Sequence, residues 1–581
     1  MVYGEERDPE ATVVLPAVAA TAPPAAAPPV AVPPAVPPAV PPAVPPRSRG
    51  VLRHSAVMAA GSLVSRGTGF LRTAIIAAAL GSGLVGDAYT TASFIPGMLY
   101  ELLLGGILAS VVVPLLVRAR THDADGGESY AQRLLTLGAL ALAGTTVLAI
   151  LAAPLLTMIL AGSDSTPVSR DLITTLGYLI LPTIFFYGLA ALLAAVLNTR
   201  DHFAAPMWAP ILNNIVVIAT FALYIAVYGV TPLRPEQMSS GQILLIGLGT
   251  LLGIVIQSAG LWPALRRVGF RWRWRFDVRA LHLPELLRLG GWAFCYVAVS
   301  QIGLLVLIRL ANEASAQDEA GPLIFNNTYL LLMMAHGIIA VSIITALLPR
   351  MSAAAAERRW DDFTDDLSRG TRMSAVALAP ISVAYAVLAL PIARTLFEYG
   401  AFDNADAVAT SVVLLAAALA LVPFSVSQLY TFAFYALPDT RTPALINIPV
   451  VAVRIGLQIW LAAAFGAAFL AAGLMLGNAV SFVLAAAVSG ILLRRRVGPV
   501  GLRRILDTFW RALVAALGAA VVGWLASELV ALGLGAGKGA ALAQLVLGGV
   551  AIVGTYLALA LVLRLREVSD VVGMVRRRLG R

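Results

Sequence analysis

From Ser55 to residue 563 the chain alternates long apolar runs with short polar, glycine-bearing or arginine-bearing breaks. Fourteen of these runs reach the ~20 residues that a helix needs to cross the hydrocarbon of a bilayer. Their limits are 55–80, 88–117, 134–161, 172–197, 206–229, 241–265, 284–311, 321–348, 371–396, 406–436, 442–465, 468–493, 507–533 and 539–563. Several exceed the minimum length, which predicts tilted or kinked helices, with Pro96, Pro182 and Pro423 as the kink positions. The pattern predicts an all-α polytopic membrane protein of about fourteen transmembrane helices. Six spans over 55–265 and six over 284–493 flank a basic, aromatic linker at 266–283, which suggests a duplicated architecture. Two further helices occupy 494–565, and a basic tail closes the chain at 566–581.

The ends follow different rules. Residues 1–54 open with a low-complexity Ala/Val/Pro tract that ends in PPAVPPAVPPAVPP at 33–46. Such a tract favours polyproline II and has no apolar face with which to build a core. It also lacks the basic start and unbroken apolar run of a signal peptide. A disordered cytoplasmic tail is expected, with a docking ligand for a cell-wall synthesis or regulatory protein as the alternative.

Composition narrows the class. Hydrophobic residues make up 59% of the chain and charged residues 12%, which excludes a soluble globular protein. The formal charge is +10 and Lys538 is the only lysine. With the N-terminus taken as cytoplasmic, 33 of the 41 basic residues fall in cytoplasmic segments, five fall on the other side, and Arg66, Arg72 and Arg454 fall within spans. That asymmetry predicts a multi-pass protein of the cytoplasmic membrane with both termini inside. The stretch GFRWRWRF at 269–276 reads as an interfacial anchor, its aromatics at headgroup depth and its arginines toward anionic lipid, and not as a nucleic-acid platform. A single cysteine, Cys295, excludes an internal disulfide.

Charge inside the spans is where chemistry is expected, because hydrocarbon tolerates it only when it is paired or faces a watery cavity. The stretch 62–106 carries Arg66, Arg72 and Glu101 on two helices joined by a turn at 81–87. At ~1.5 Å per residue, Arg66 lies roughly 21 Å from the turn, Arg72 roughly 12 Å and Glu101 roughly 20 Å. Arg66 and Glu101 are therefore expected to pair, as a structural tie or as a hinge. Arg72 has no carboxylate at its level and reads as an anion ligand. Arg454, in the middle of the eleventh span, is expected to bond backbone carbonyls or to reach the substrate. The asparagines 213, 214, 326, 327 and 478 are expected to link helices. His336 is expected to pack inside the bundle. No GxxxxGK[ST] loop, catalytic triad or metal-ligand cluster is legible, so neither a cofactor nor ATP as direct driver is expected. That leaves the membrane potential as the expected driver, with an ion gradient as the alternative.

Several motifs at loops and helix ends carry a resemblance. They are SRGTGFLR at 65–72, GDAY at 86–89, LNTRDHFAAPMWAPILNN at 197–214, SQIG at 300–303, LFEYGAF at 396–402 and FYALPDTRTP at 434–443. Over most of 55–565 the chain resembles the lipid II flippase family MurJ/MviN of the multidrug/oligosaccharidyl-lipid/polysaccharide exporter superfamily. The resemblance implies two six-helix lobes around a central cationic cavity and a lipid-tail groove formed with the last two helices. It implies alternating access as the mechanism, and lipid II (undecaprenyl-pyrophosphate-linked disaccharide-pentapeptide) as the substrate. It places functional arginines at Arg66 and Arg72 and a functional acid at Asp87. Tyr100, followed by Glu101, stands where some members have an arginine. Leu330 and Met333 stand where some have Arg and Glu, and a sodium-binding carboxylate of some relatives falls near Leu307. The expected substrate-binding set is thus Arg66, Arg72, Asp87, Tyr100, Glu101 and Arg454, with membrane lipids around it. Set against this reading are a related polysaccharide-lipid or drug exporter, a membrane glycosyltransferase, which needs a larger outer loop, and a non-transporting cell-wall scaffold.

Overall fold

The computed structural model describes residues 48–105, 112–230, 233–277, 283–535 and 537–569; the proline-rich tract 1–46 and most of the tail 566–581 lie outside them. The apolar runs fold as helices: α1 (Ser48–Leu80), α2 (Leu84–Tyr100), α3 (Val113–His122), α4 (Glu128–Leu151), α5 (Ala153–Leu160), α6 (Pro167–Ile180), α7 (Thr183–Thr199), α8 (Ala204–Tyr228), α9 (Ser240–Ala259) and α10 (Trp262–Arg267). After the linker come α11 (Leu283–Ser315), α12 (Pro322–Ala356), α13 (Trp360–Val387), α14 (Ala389–Phe397), α15 (Asn404–Ala436), α16 (Arg441–Phe465), α17 (Leu470–Val497), α18 (Leu502–Leu534) and α19 (Lys538–Val562).

Among the described residues thirteen stretches are long and apolar enough to cross a membrane. The remaining expected span, 88–117, is present as α2, a π-helical continuation over Glu101–Gly105, and α3, with 106–111 outside the described residues. Several helices are shorter than the runs that predict them, for one physical reason. A proline inside a helix removes a backbone donor and crowds the preceding turn. Pro182 accordingly separates α6 from α7, and Pro154, in the first turn of α5, marks the break after α4. Pro96 and Pro423 are instead accommodated inside continuous α2 and α15.

Two sets of helices pack mostly among themselves. In the first, α2 lies against α6, α4 against α7, and α8 against α9. In the second, α15 is the central helix, packed on α12, α13 and α17, while α11 lies on α16. The pair α18 and α19 rests on α13 and α14. Leu414, Leu421, Phe397 and Leu474 are buried at the centre of the largest core cluster. The outer surface is apolar as well: Leu151 is 75% exposed, Val562 74% and Leu532 83%. An apolar surface of this extent is stable only in lipid.

The linker departs from helix. Residues 270–277 run without regular structure along α4, where Gln132 donates to the Arg271 carbonyl at 2.7 Å and Arg275 donates to Gln132 Oε1 at 2.8 Å. Arg133 pairs with Asp277 at 2.6 Å. Trp272, Trp274 and Phe276 form a ladder with ring centroids 5.0 and 6.4 Å apart. The alternation of arginine and aromatic residues thus follows the two sides of an extended strip.

Candidate functional site

At the end of the molecule where α1 turns into α2, the two sets of helices meet in several contacts, among them Asn312 of α11 donating to the Leu160 carbonyl at 3.0 Å and the three that follow. Gly81 and Gly400 both have positive φ, +69° and +61°, and a side chain on either would strike a carbonyl, that of Ala401 or Ala78. That close approach lets the Ala401 N–H donate to the Ala78 carbonyl at 2.8 Å. Beside it the Ser82 hydroxyl donates to Asp406, which also belongs to the capping box of α15. The third contact is Asp87, 1% exposed. One of its oxygens accepts from the Ser315 hydroxyl at 2.5 Å, and the other accepts the backbone N–H of Leu323 at 2.8 Å. Leu323 is in the first turn of α12, whose amides have no partner within the helix, and a carboxylate there is favoured by hydrogen bonding and by the helix dipole.

Below this joint lies a cavity of about 230 Å³. Arg72 enters it from α1, Tyr89 from α2, Tyr187 from α7, Asn213 from α8, and Asn326 and Asn327 from α12. Arg72 Nε is buried without a hydrogen-bond partner, as are Asn213 Oδ1 and Asn327 Nδ2. Ser93 Oγ, on the same wall, is unpaired too; buried polar groups are almost always paired, so four unpaired atoms around one cavity mark a place built for a polar guest.

A second cavity, of about 370 Å³, lies between α11, α12, α15, α16 and α17. Arg454 reaches into it from α16, with Nε donating to Ser481 at 3.0 Å and the guanidinium carbon 5.3 Å from the Phe482 ring centroid. Tyr296, Gln301, Tyr329, Gln428 and Asn447 add polar atoms to its walls. Among the described residues neither cavity is lined by a carboxylate, so each holds one guanidinium without a counter-charge on its walls. Phe94 of α2 lies on the wall of both.

Four of the six expected residues do not line either cavity. Asp87 sits in the joint. Arg66 donates from Nη2 to the Gly337 carbonyl of α12 at 3.3 Å, and the guanidinium fills the space that a side chain at Gly337 would take. The expected Arg66–Glu101 pair is not formed in this conformation: Arg66 turns to α12, and Glu101 is exposed at the start of the π-helical turn. Tyr100 stands 6.0 Å, ring to ring, from Tyr187. Of the two roles expected for Arg454, backbone carbonyls or the substrate, the first is not what it does here: it bonds a hydroxyl and an aromatic face and lines the second cavity.

The asparagines divide. Asn214 links helices as expected, donating to the Ser65 carbonyl at 3.2 Å and to Thr68 at 3.0 Å. Trp208 packs on Gly61 of α1, so the motifs at 65–72 and 197–214 are one contact between α1 and α8. Asn213, Asn326 and Asn327 instead serve the Arg72 cavity, as do Tyr89 and Tyr187. Their signal in the sequence was polarity inside an apolar span. His336 is buried, 2.9 Å from the Ser425 hydroxyl.

A family model described as lipid II flippase MurJ matches residues 76–538. A probable lipid II flippase MurJ from Rhizobium meliloti (strain 1021) is 28% identical over 415 residues, 71% of this chain and 75% of the relative. One from Vibrio cholerae serotype O1 is 26% identical over 544 residues, 89% of this chain and 97% of the relative. Among solved structures, a lipid II flippase MurJ in an inward closed conformation superposes with a TM-score of 0.69 at 21% identity, over 90% of this chain and all of that one. An inward-facing multidrug resistance MATE family transporter of the MOP superfamily superposes with a TM-score of 0.60 at 15% identity, over 75% of this chain and 95% of that one. These two likenesses concern the fold.

Proposed function

The chain belongs to the lipid II flippase MurJ family, and on that premise we propose that its two arginine cavities carry the pyrophosphate of lipid II across the cytoplasmic membrane by alternating access. The observation that carries this reading is Arg72: a guanidinium whose Nε is buried and unpaired, in a cavity with no carboxylate on its walls. A pyrophosphate crossing hydrocarbon needs fixed cations that are not already neutralised. Arg72 in the first set of helices and Arg454 in the second supply one each.

The arginine asymmetry supports both termini inside, which puts the Gly81 end outside. In that frame the Asp87, Ser82 and Ala401 contacts are a closed outer gate, and substrate enters from the cytoplasmic side. The helix sets α1–α10 and α11–α17 act as two lobes over 55–265 and 284–493. The apolar surface of α18 and α19 offers a place for the undecaprenyl tail. Opening the gate while the cytoplasmic side closes would deliver the headgroup to the outer leaflet.

The test is Arg72→Ala in cells depleted of the native protein. The expected outcome is loss of growth, accumulation of lipid II in the inner leaflet and unchanged abundance of the variant, because no partner is orphaned. Full complementation by Arg72→Ala would overturn the reading.

A further inference from the structure

A third cavity, of about 760 Å³, shares no lining residue with the other two. It is walled by the end of α12, the first turns of α13, the start of α18 and the turn after α19. Its lining is dominated by charge, six arginines against four carboxylates. The carboxylates are all engaged. Asp366 takes Arg350 at 2.8 Å and Glu567 takes Arg372 at 3.1 Å, and both acidic side chains are only 9% exposed. Asp362 takes Arg359, and Asp365 lies 3.8 Å from Arg504. Two guanidiniums remain without a carboxylate among the described residues: Arg369 on α13 and Arg566 past the end of α19, both exposed.

Their depth says what they meet. Arg369 lies two residues before the apolar run 371–396 and Arg372 at its start, and Arg566 stands four residues beyond Val562, where α19 ends. Both unpaired cations therefore lie where hydrocarbon gives way to headgroups, at the level of lipid phosphate. A guanidinium fork matches phosphate oxygens two at a time, which a hydrated ammonium does not. These two ion pairs, each with a buried carboxylate, tie α13 to α12 and to the segment after α19 on either side of the cleft.

We propose that this cleft binds the phosphate group of an anionic lipid from the leaflet it faces, with Arg369 and Arg566 as the ligating pair. A bound phosphate would tie the second set of helices to α18 and α19. A soluble phosphate or pyrophosphate offers the same chemistry without the acyl chains.

The experiment follows the unfolding midpoint of the purified full-length chain in nonionic detergent. The additions are phosphatidylglycerol, phosphatidylcholine or inorganic pyrophosphate. Phosphatidylglycerol is expected to raise the midpoint saturably, by about 3 °C, and phosphatidylcholine to leave it unchanged. In Arg369→Gln/Arg566→Gln the half-saturating concentration should rise at least about tenfold, and raising salt from about 50 to 500 mM should weaken the native response. An equal, arginine-dependent rise with pyrophosphate alone would uphold the phosphate site and assign it to a soluble ligand. An equal response to both lipids, or a double variant that responds as the native chain does, would overturn the proposal. Should the double variant fail to fold, the salt dependence decides alone: a phosphatidylglycerol response flat in salt overturns it.

Discussion

The carboxylate of Asp87 on α2 accepts the backbone N–H of Leu323 at 2.8 Å, so an acidic side chain from one set of helices closes the first turn of a helix in the other. Removing a helix cap costs about 1–2 kcal/mol, and here the cap also fastens the joint. Asp87→Ala should therefore favour the state in which the Gly81 end is open, by about tenfold for each 1.4 kcal/mol lost. In a Cys295→Ser background, a cysteine replacing Thr91, which is fully buried one turn deeper, reports the opening. Its labelling by an impermeant maleimide added outside should accelerate in Asp87→Ala and less in Asp87→Asn, which keeps an acceptor.

Gly400 tests the same joint from the other side. With φ at +61° and the Ala78 carbonyl where a side chain would go, Gly400→Ala meets both backbone strain and a backbone clash. It should raise outside labelling at position 91 about as much as Asp87→Ala does, with little change in the unfolding of the rest of the chain. Unchanged labelling would mean that the close approach is not part of the gate.

The two cavity arginines should fail differently on losing geometry and on losing charge. Arg72→Lys keeps the charge but not the fork and should retain a fraction of transport, whereas Arg72→Ala retains none. Arg454→Met keeps the apolar stem over Phe482 and should preserve abundance while abolishing transport; lipid II accumulation checks each.

Outside the membrane, Asp439 predicts an acid limb. Burial alone would raise its carboxyl, but the Thr442 N–H at 2.9 Å, the Thr442 hydroxyl at 2.7 Å and the Arg496 guanidinium outweigh it and hold the group below the usual carboxylate range. A depressed folded-state value contributes stability that is present above about pH 4 and lost as pH falls through that lowered value. Asp439→Asn should lower the midpoint at neutral pH and flatten its fall below pH 4. Equal acid sensitivity in both proteins would refute this role.

The driver can be read in vesicles. An empty carrier with two uncompensated guanidiniums is cationic and a bound pyrophosphate removes that charge, so a potential negative inside drives the empty return step by ~2.3 kcal/mol per charge per 100 mV. Collapsing the potential with valinomycin and potassium, sodium gradient intact, should slow flipping severalfold. An unchanged rate rules the potential out.

The helices were legible because lipid leaves a chain few options: an apolar run of ~20 residues must satisfy its own backbone. Breaks at proline are legible for the same reason, Pro154 included, although the run 134–161 continues across it. The unpaired state of Arg72 followed from depth alone. Depth says nothing about azimuth, and that is why Arg66 was assigned to Glu101 when its guanidinium faces Gly337. The polar ring around Arg72 was visible only as scattered asparagines and tyrosines, since a cavity wall drawn from α1, α2, α7, α8 and α12 leaves no spacing in the sequence. The resemblance to a family named Asp87, but its partners, a hydroxyl and a main-chain amide, are side-chain-poor and leave no motif.

Phe94 stands seven residues after Asp87 on α2, two turns along and about 10.5 Å away on the same face. The helix whose first turn fastens the Gly81 end therefore also carries a ring that lines both cavities. A tilt of α2 that frees Asp87 must drag that ring with it. Unlocking the joint and moving that ring are then a single mechanical stroke, timed by the stiffness of one helix, with no signal needing to pass between them.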